Sequence, residues 1–251
     1  MCIICYKPAG ASFPTKRQFK TMFKNNPDGC GFMYPSGDGV NIDKGFMTYS
    51  EFRQALSKHL HEIDKPFVFH FRIATHGGIN EEMTQPFPLS DSLHALRAVG
   101  LNDRVGIAHN GIIPLTNDAR KLSDTAQFIR DYVTRLYDHR TGFDDITLNI
   151  IEACIGSSRM AILENTGACH LLGHGWKKCG ALYFSNDSYI DYKTAKKQTR
   201  KTAKLYSTWD AFNTQYIDYD SFCDGYCDTC VYRDPCWNTA GNADVGINSI
   251  E

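Results

Sequence analysis

Two helices in series stand between two groups of strands, and this order narrows the possible folds more than any other feature. The first runs from Ser123-Asp124-Thr125 to about Tyr137, with Phe128, Tyr132, Val133 and Leu136 assigned to one face. The second spans Phe143 to Ile155 and carries Ile146, Ile150, Ile151 and Cys154. Strands are expected before them at residues 2–6, on either side of the Ser36-Gly37-Asp38-Gly39 turn, at 66–74 and at 104–108. Three more follow at Arg159–Leu163, His170–Leu172 and Ala181–Ser185. No strand–helix alternation repeats, so the layers belong to an α+β domain. Two further helices are expected, Thr15 to Asn25 with Phe19 and Phe23 paired, and Tyr49 to Ile63. The latter opens on a Thr48–Glu51 capping box and sets Phe52, Leu56, Leu60 and Ile63 on one face.

A chain of 251 residues fits one large domain, or one domain with an appendage. Its net charge of −1 exerts no global pull toward nucleic acid or an anionic membrane. No apolar run approaches a membrane span, and the N-terminus lacks the layout of a signal peptide. A cytoplasmic protein is expected, so its ten cysteines read as thiols, metal ligands or a nucleophile.

Chemistry-bearing residues fall at the ends of apolar segments. Met1 precedes Cys2, and removal of the methionine would leave a thiol and an α-amine on one residue. The amine titrates near pH 8 and the thiol near about 8.5, so one can serve as base for the other. The alternative is a cysteine that merely starts a buried strand. Asn26-Pro27-Asp28-Gly29-Cys30-Gly31 is a turn whose two glycines take the backbone through a tight place. The strand at 66–74 delivers Arg72, Thr75 and His76 before Gly77-Gly78, and an arginine in apolar surroundings calls for a carboxylate. The strand at 104–108 runs into His109-Asn110-Gly111, where Asn-Gly alone would mean a hairpin turn. Ser123 or Asp124 is the natural N-cap of the helix that follows.

Taken together, Met1-Cys2, the Asn-Pro-Asp-Gly-Cys-Gly loop, His70-Phe71-Arg72-Ile73-Ala74-Thr75-His76-Gly77, Ala108-His109-Asn110-Gly111-Ile112 with Ser123-Asp124-Thr125, and Tyr183-Phe184-Ser185-Asn186 resemble the class II glutamine amidotransferase (glutaminase) domain of the N-terminal nucleophile hydrolases. The resemblance implies a four-layer αββα sandwich, two antiparallel sheets between helices, over residues 2–190. It implies hydrolysis of the glutamine side-chain amide by Cys2, with Asn110 and Gly111 as the oxyanion hole. Arg72 would clamp the α-carboxylate, Asp124 would hold the α-ammonium, and Thr75 and His76 would sit in the substrate loop. The glutaminase chemistry needs no cofactor. Gln85 stands where related sequences often carry histidine, which implies altered loop packing. Family members are usually fused to a domain that consumes the ammonia; here a separate synthetase or transferase partner is expected. Alternatives are an amide hydrolase of this fold with another substrate, or a non-catalytic scaffold.

The extension, residues 191–251, changes character twice. Lys193, Lys196, Lys197, Arg200, Lys201 and Lys204 form a basic run, read as a solvated helix face with nucleic acid as the less favoured partner. Cys223, Cys227, Cys230 and Cys236 then offer four thiolates at short spacing, suited to structural zinc, or to an iron–sulfur cluster as the second choice. Cys5, Cys30, Cys154, Cys169 and Cys179 are scattered and read as small buried apolar residues.

Overall fold

The computed structural model describes residues 2–74, 78–115 and 122–191. The basic run and the cysteine loop of the extension, and Thr75 and His76, lie outside those residues.

The chain opens with strand β1 (Ile3–Lys7), helix α1 (Lys16–Asn25), the hairpin β2 (Cys30–Ser36) and β3 (Gly39–Phe46), helix α2 (Tyr49–Ser57) and β4 (Phe67–Phe71). Short elements follow: β5 (Phe87–Pro88), α3 (Leu93–Arg97), β6 (Gly100–Asp103) and β7 (Val105–Asn110). Next, α4 (Asp124–Phe128) continues through a π-helical turn at Ile129–Val133 into α5 (Thr134–Leu136), and α6 (Asp145–Ile155) comes after it. The described chain ends with β8 (Arg159–Glu164), β9 (Cys169–Leu172), β10 (Lys177–Cys179) and β11 (Leu182–Phe184).

These strands form a seven-stranded sheet, β10-β11-β1-β4-β2-β3-β6, and a four-stranded sheet, β5-β7-β8-β9. Every pairing is antiparallel. The alternation of side chains along a strand then separates three cores. Ile3 and Cys5 of β1 and Phe67, Phe69 and Phe71 of β4 face Phe19 and Met22 of α1 and Phe52 and Leu56 of α2. Ile4, Met33, Val40, Ile42 and Val68 face Ala108, Ala161 and Leu163 of the other sheet. Val105, Ile107, Met160 and Ile162 face Ala126, Ile129, Val133, Ile151 and Ile155 of the later helices. The result is helices, sheet, sheet, helices: the four-layer αββα sandwich.

Local signals act as expected at both early helices. Thr15 and Thr48 each close a capping box, the latter through Glu51 N–H to Thr48 Oγ1 at 3.2 Å and Thr48 N–H to Glu51 Oε2 at 2.9 Å. Three helix readings need correction. The second helix stops at Ser57 rather than Ile63, which is 48% exposed. The carbonyls of Ile63 and Lys65 instead accept from the buried Lys7 ammonium at 2.7 and 2.8 Å, so backbone there serves β1 and not a helix. In the third, the π-helical turn inserts an extra residue and offsets the stripe, burying Ile129 and Val133 while Tyr132 turns outward. In α6 the buried face is Ile151 and Ile155 with Leu148 beside them; Ile146, Ile150 and Cys154 are exposed. Cys5 and Cys30 are buried as expected, and Cys169 and Cys179 only partly so. Among the described residues no helix is long and apolar enough to cross a membrane.

Candidate active site

The nucleophile candidate sits at the mouth of the pairing between β1 and β4. Ile3 lies opposite Phe71 in that ladder, so Cys2 arrives beside the residues that follow β4. Its thiol donates to the Ile73 carbonyl at 3.4 Å and accepts from the Ile73 N–H at 3.3 Å. Its own carbonyl accepts from Asn186 Nδ2 at 2.6 Å. Burial pushes the thiol pKa up, opposed by the Ile73 hydrogen bond, the chain's amino-terminal charge and Arg72. A thiol held protonated at neutral pH needs a base before it can attack.

Arg72 follows β4 directly and is 3% exposed. Its Nη1 donates to the Gly78 carbonyl at 2.7 Å, while its backbone exchanges hydrogen bonds with the glycine turn: Arg72 N–H to Gly29 O at 2.9 Å, and Asp28 N–H to Arg72 O at 3.0 Å. Gly29 has φ +100°, a conformation that costs other residues, and Asp28 next to it accepts from Ala74 N–H at 2.8 Å. The expected tight passage is real: a Cβ on Gly31 would come within 2.6 Å of the Gln85 carbonyl. Burial lowers the guanidinium pKa, and Cys2, Asp28 and Asp124 oppose that shift. The cation therefore stands in the field of the thiol and two carboxylates.

Asn110 ends β7, opposite Arg159 of β8, so Asn-Gly is not a hairpin turn here. Gly111 has φ +154°, and any Cβ would collide with the Ser158 side chain; glycine is required by close approach. Asn110 Nδ2 donates to Ser185 Oγ at 2.8 Å. Ser123, not Asp124, caps α4, accepting from Ala126 N–H at 3.2 Å. That leaves the Asp124 carboxylate to accept from Ile113 N–H and Thr125 N–H, each at 2.8 Å. The Thr125 hydroxyl also approaches Oδ1, at 3.4 Å, which leaves one of the roughly four lone-pair sites of the carboxylate for another donor.

Behind these groups lies a buried polar seam. His70 Nε2 donates to the His109 carbonyl at 3.1 Å, and His109 N–H donates to Gln85 Oε1 at 2.7 Å. His109 Nδ1 and Thr125 Oγ1 are 2.9 Å apart. Gln85 thus holds the backbone one residue before Asn110.

The structure brings Cys2, Arg72, Asn110, Gly111 and Asp124 to the ends of β1, β4, β7 and α4. Sequence reasoning quoted Asp28, Ser185 and Asn186 without giving them roles. The signal was present: Ser185-Asn186 are polar residues directly after an apolar strand, the same pattern that singled out Arg72. Among the described residues no group of three or more His, Cys, Asp or Glu could hold a metal ion.

Neither a protein-family model nor a curated protein sequence matches the chain. Among solved structures, the glutamine phosphoribosylpyrophosphate (PRPP) amidotransferase from B. subtilis, complexed with ADP and GMP, is similar at 16% identity and a TM-score of 0.43, covering 73% of this chain and 41% of that one. The structure described as the allosteric regulatory enzyme of purine biosynthesis is similar at 16% identity and a TM-score of 0.42, with the same coverage of 73% and 41%. The chain spans about two fifths of the length of these neighbours, 41% in each case.

Proposed function

We propose that the protein hydrolyses the side-chain amide of glutamine through a Cys2 thioester and passes the ammonia to a separate synthetase or transferase. The observation that carries this reading is one buried cation, Arg72, whose backbone is bound to the Asp28 turn and whose chain neighbour Ile73 holds the Cys2 thiol, with the Asp28 and Asp124 carboxylates acting on its charge. A free amino acid presents one anion and one cation, and recognition calls for a fixed partner against each.

In this mechanism removal of Met1 exposes the Cys2 amine. Arg72 binds the α-carboxylate of glutamine and Asp124 its α-ammonium. Thr75 and His76 are assigned to substrate binding. Cys2 Sγ attacks the amide carbon while the thiol proton passes to the Cys2 amine. Asn110 and the Gly111 N–H donate to the oxygen that becomes negative. Collapse breaks the C–N bond, the amine returns the proton, and ammonia leaves. Water then adds to the thioester, giving glutamate and the free thiol. Loss of one oxyanion donor typically costs about 2.7–4 kcal/mol of barrier.

The test compares intact mass and glutaminase activity of the wild type with Cys2→Ala. The mature protein is expected to lack Met1, and Cys2→Ala to be inactive. A retained Met1, or undiminished activity in the variant, rejects the mechanism. Labelling by a glutamine-analogue electrophile is expected to map to Cys2 and to be competed by glutamine. In the extension, Cys223, Cys227, Cys230 and Cys236 are proposed to hold one structural zinc; metal analysis of the whole chain and of Cys230→Ser reads this directly, and equal metal content in both rejects it.

A further inference from the structure

We propose that Ser185 is a positioning residue that sets which way the Asn110 amide faces, and thereby aims its N–H groups at the developing oxyanion. The proposal rests on the reading of Asn110 as an oxyanion donor.

Ser185 is fully buried just past β11 and is tied to the nucleophile's strand by two hydrogen bonds. Its N–H donates to the Ile4 carbonyl at 2.9 Å, and its Oγ accepts from the Ile4 N–H at 2.8 Å. Asn110 Nδ2 also donates to Ser185 Oγ, at 2.8 Å. Two donors therefore converge on one hydroxyl. Meanwhile Asn110 Oδ1 is buried with no hydrogen-bond partner among the described residues. A buried acceptor left unmade costs about 1–3 kcal/mol.

The two ends of an amide have nearly the same shape, and partners decide between them. Ile4 N–H can only donate, so it fixes a lone pair of Ser185 Oγ and leaves the hydroxyl proton to be given elsewhere. Half a turn of the Asn110 amide brings Oδ1 to that proton. The chain then runs in one direction, Ile4 N–H to Ser185 O–H to Asn110 Oδ1. The NH2 group moves to where the unpartnered oxygen lay, with its donors available to a substrate oxygen. A carbonyl that accepts from Ser185 polarises its own N–H groups, which strengthens them as donors. The backbone N–H two residues from the nucleophile thus dictates, through one hydroxyl, the polarity of the oxyanion donor.

The test measures glutaminase kinetics for wild type, Ser185→Ala, Ser185→Thr, Asn110→Ala and the Ser185→Ala/Asn110→Ala double variant. Thermal unfolding of each is recorded, and glutamine affinity is measured by calorimetry in a Cys2→Ala background. Ser185→Ala is expected to lower kcat by about 10- to 100-fold, short of the full loss of a donor. Glutamine affinity should stay unchanged. Ser185→Thr, which keeps the hydroxyl, should recover most of kcat. The double variant should be no slower than Asn110→Ala alone, because the serine acts only through the amide. Should Ser185→Ala fail to fold, Ser185→Cys, with a weaker donor, should show the same selective fall in kcat. An active wild type with unchanged kcat in the Ser185 variants, or additive losses in the double variant, overturns the role of Ser185 alone. An inactive wild type overturns the glutaminase reading and this inference with it.

Discussion

The two faces of β4 differ as sharply as any two regions of the molecule. Phe67, Phe69 and Phe71 enter an aromatic layer against α1 and α2, while Val68 and His70 face the second sheet. Period-two alternation thus gives one strand two duties, packing on one side and the backbone of the site on the other. The aromatic layer is continuous: Phe52 alone lies 5.2 Å from Phe19, 5.2 Å from Phe71 and 6.2 Å from Phe32 between ring centroids. The seam beyond it is polar, with His70, His109, Gln85 and Thr125 joined by hydrogen bonds. The lesson is that stability and chemistry should respond to different substitutions, although the two regions share strands.

The largest expected effect tests the aromatic side. Phe52→Ala removes a fully buried ring from the centre of the layer and is expected to cost about 3–5 kcal/mol in chemical denaturation. Activity per folded molecule should stay near wild type. A large fall in kcat at unchanged stability would break the separation of the two faces.

The next tests the seam through pH. Burial lowers the His70 pKa from 6.5 to about 3, with Arg72 and His109 adding to the shift and the hydrogen bond to the His109 backbone opposing it. Burial likewise lowers His109 to about 4, against the pull of Asp124. The unfolded chain takes up both protons near about pH 6.5, before the folded chain does. Their contribution to stability is therefore complete above about pH 6.5 and is lost as pH falls toward the folded values, because unfolding binds protons in that window. Denaturation midpoints between neutral and acid pH should fall, and His70→Gln should reduce the slope by roughly one proton. An unaltered slope would mean that His70 is not held neutral.

What the sequence revealed follows the same division. α1, the β2–β3 hairpin and the capping box of α2 depend on neighbours in the chain, so local pattern sufficed, and β1, though paired with distant β4 and β11, shows itself by its apolar run. β5, β6 and β10 were missed because they are short and exist by pairing: Phe87 with Ile107, Val40 with Asp103, Lys177 with Phe184. The face of the α4–α5 segment was misread because a π-helical turn breaks the assumed period. Among the candidate site residues, Arg72 and Asn110 stand out as polar residues ending apolar strands, whereas Asp124 reads locally as a helix cap and enters only through the resemblance. The duty of Ser185 was not, because it depends on contacts with Ile4 and Asn110, 181 and 75 residues away.

The smallest expected effect asks whether the seam supports the site or only fills space. Thr125 is 1% exposed, and its hydroxyl meets His109 Nδ1 at 2.9 Å and accepts from Gln85 Nε2 at 3.4 Å. Thr125→Val keeps the shape and deletes the hydroxyl, leaving a buried imidazole nitrogen without its partner at a cost of about 1–3 kcal/mol. The Thr125 N–H that holds Asp124 Oδ1 at 2.8 Å survives the change, and only the longer 3.4 Å contact of the hydroxyl with that oxygen is lost, so the carboxylate should keep its place. KM for glutamine should then stay within about threefold of wild type, since less than 1.4 kcal/mol of binding is at stake where a tenfold change needs that much. Denaturation and steady-state kinetics on the same preparation decide it. A tenfold rise in KM with stability intact would show that His109 and Thr125 act on Asp124 through the side chain, and the seam would then belong to substrate binding rather than to its support.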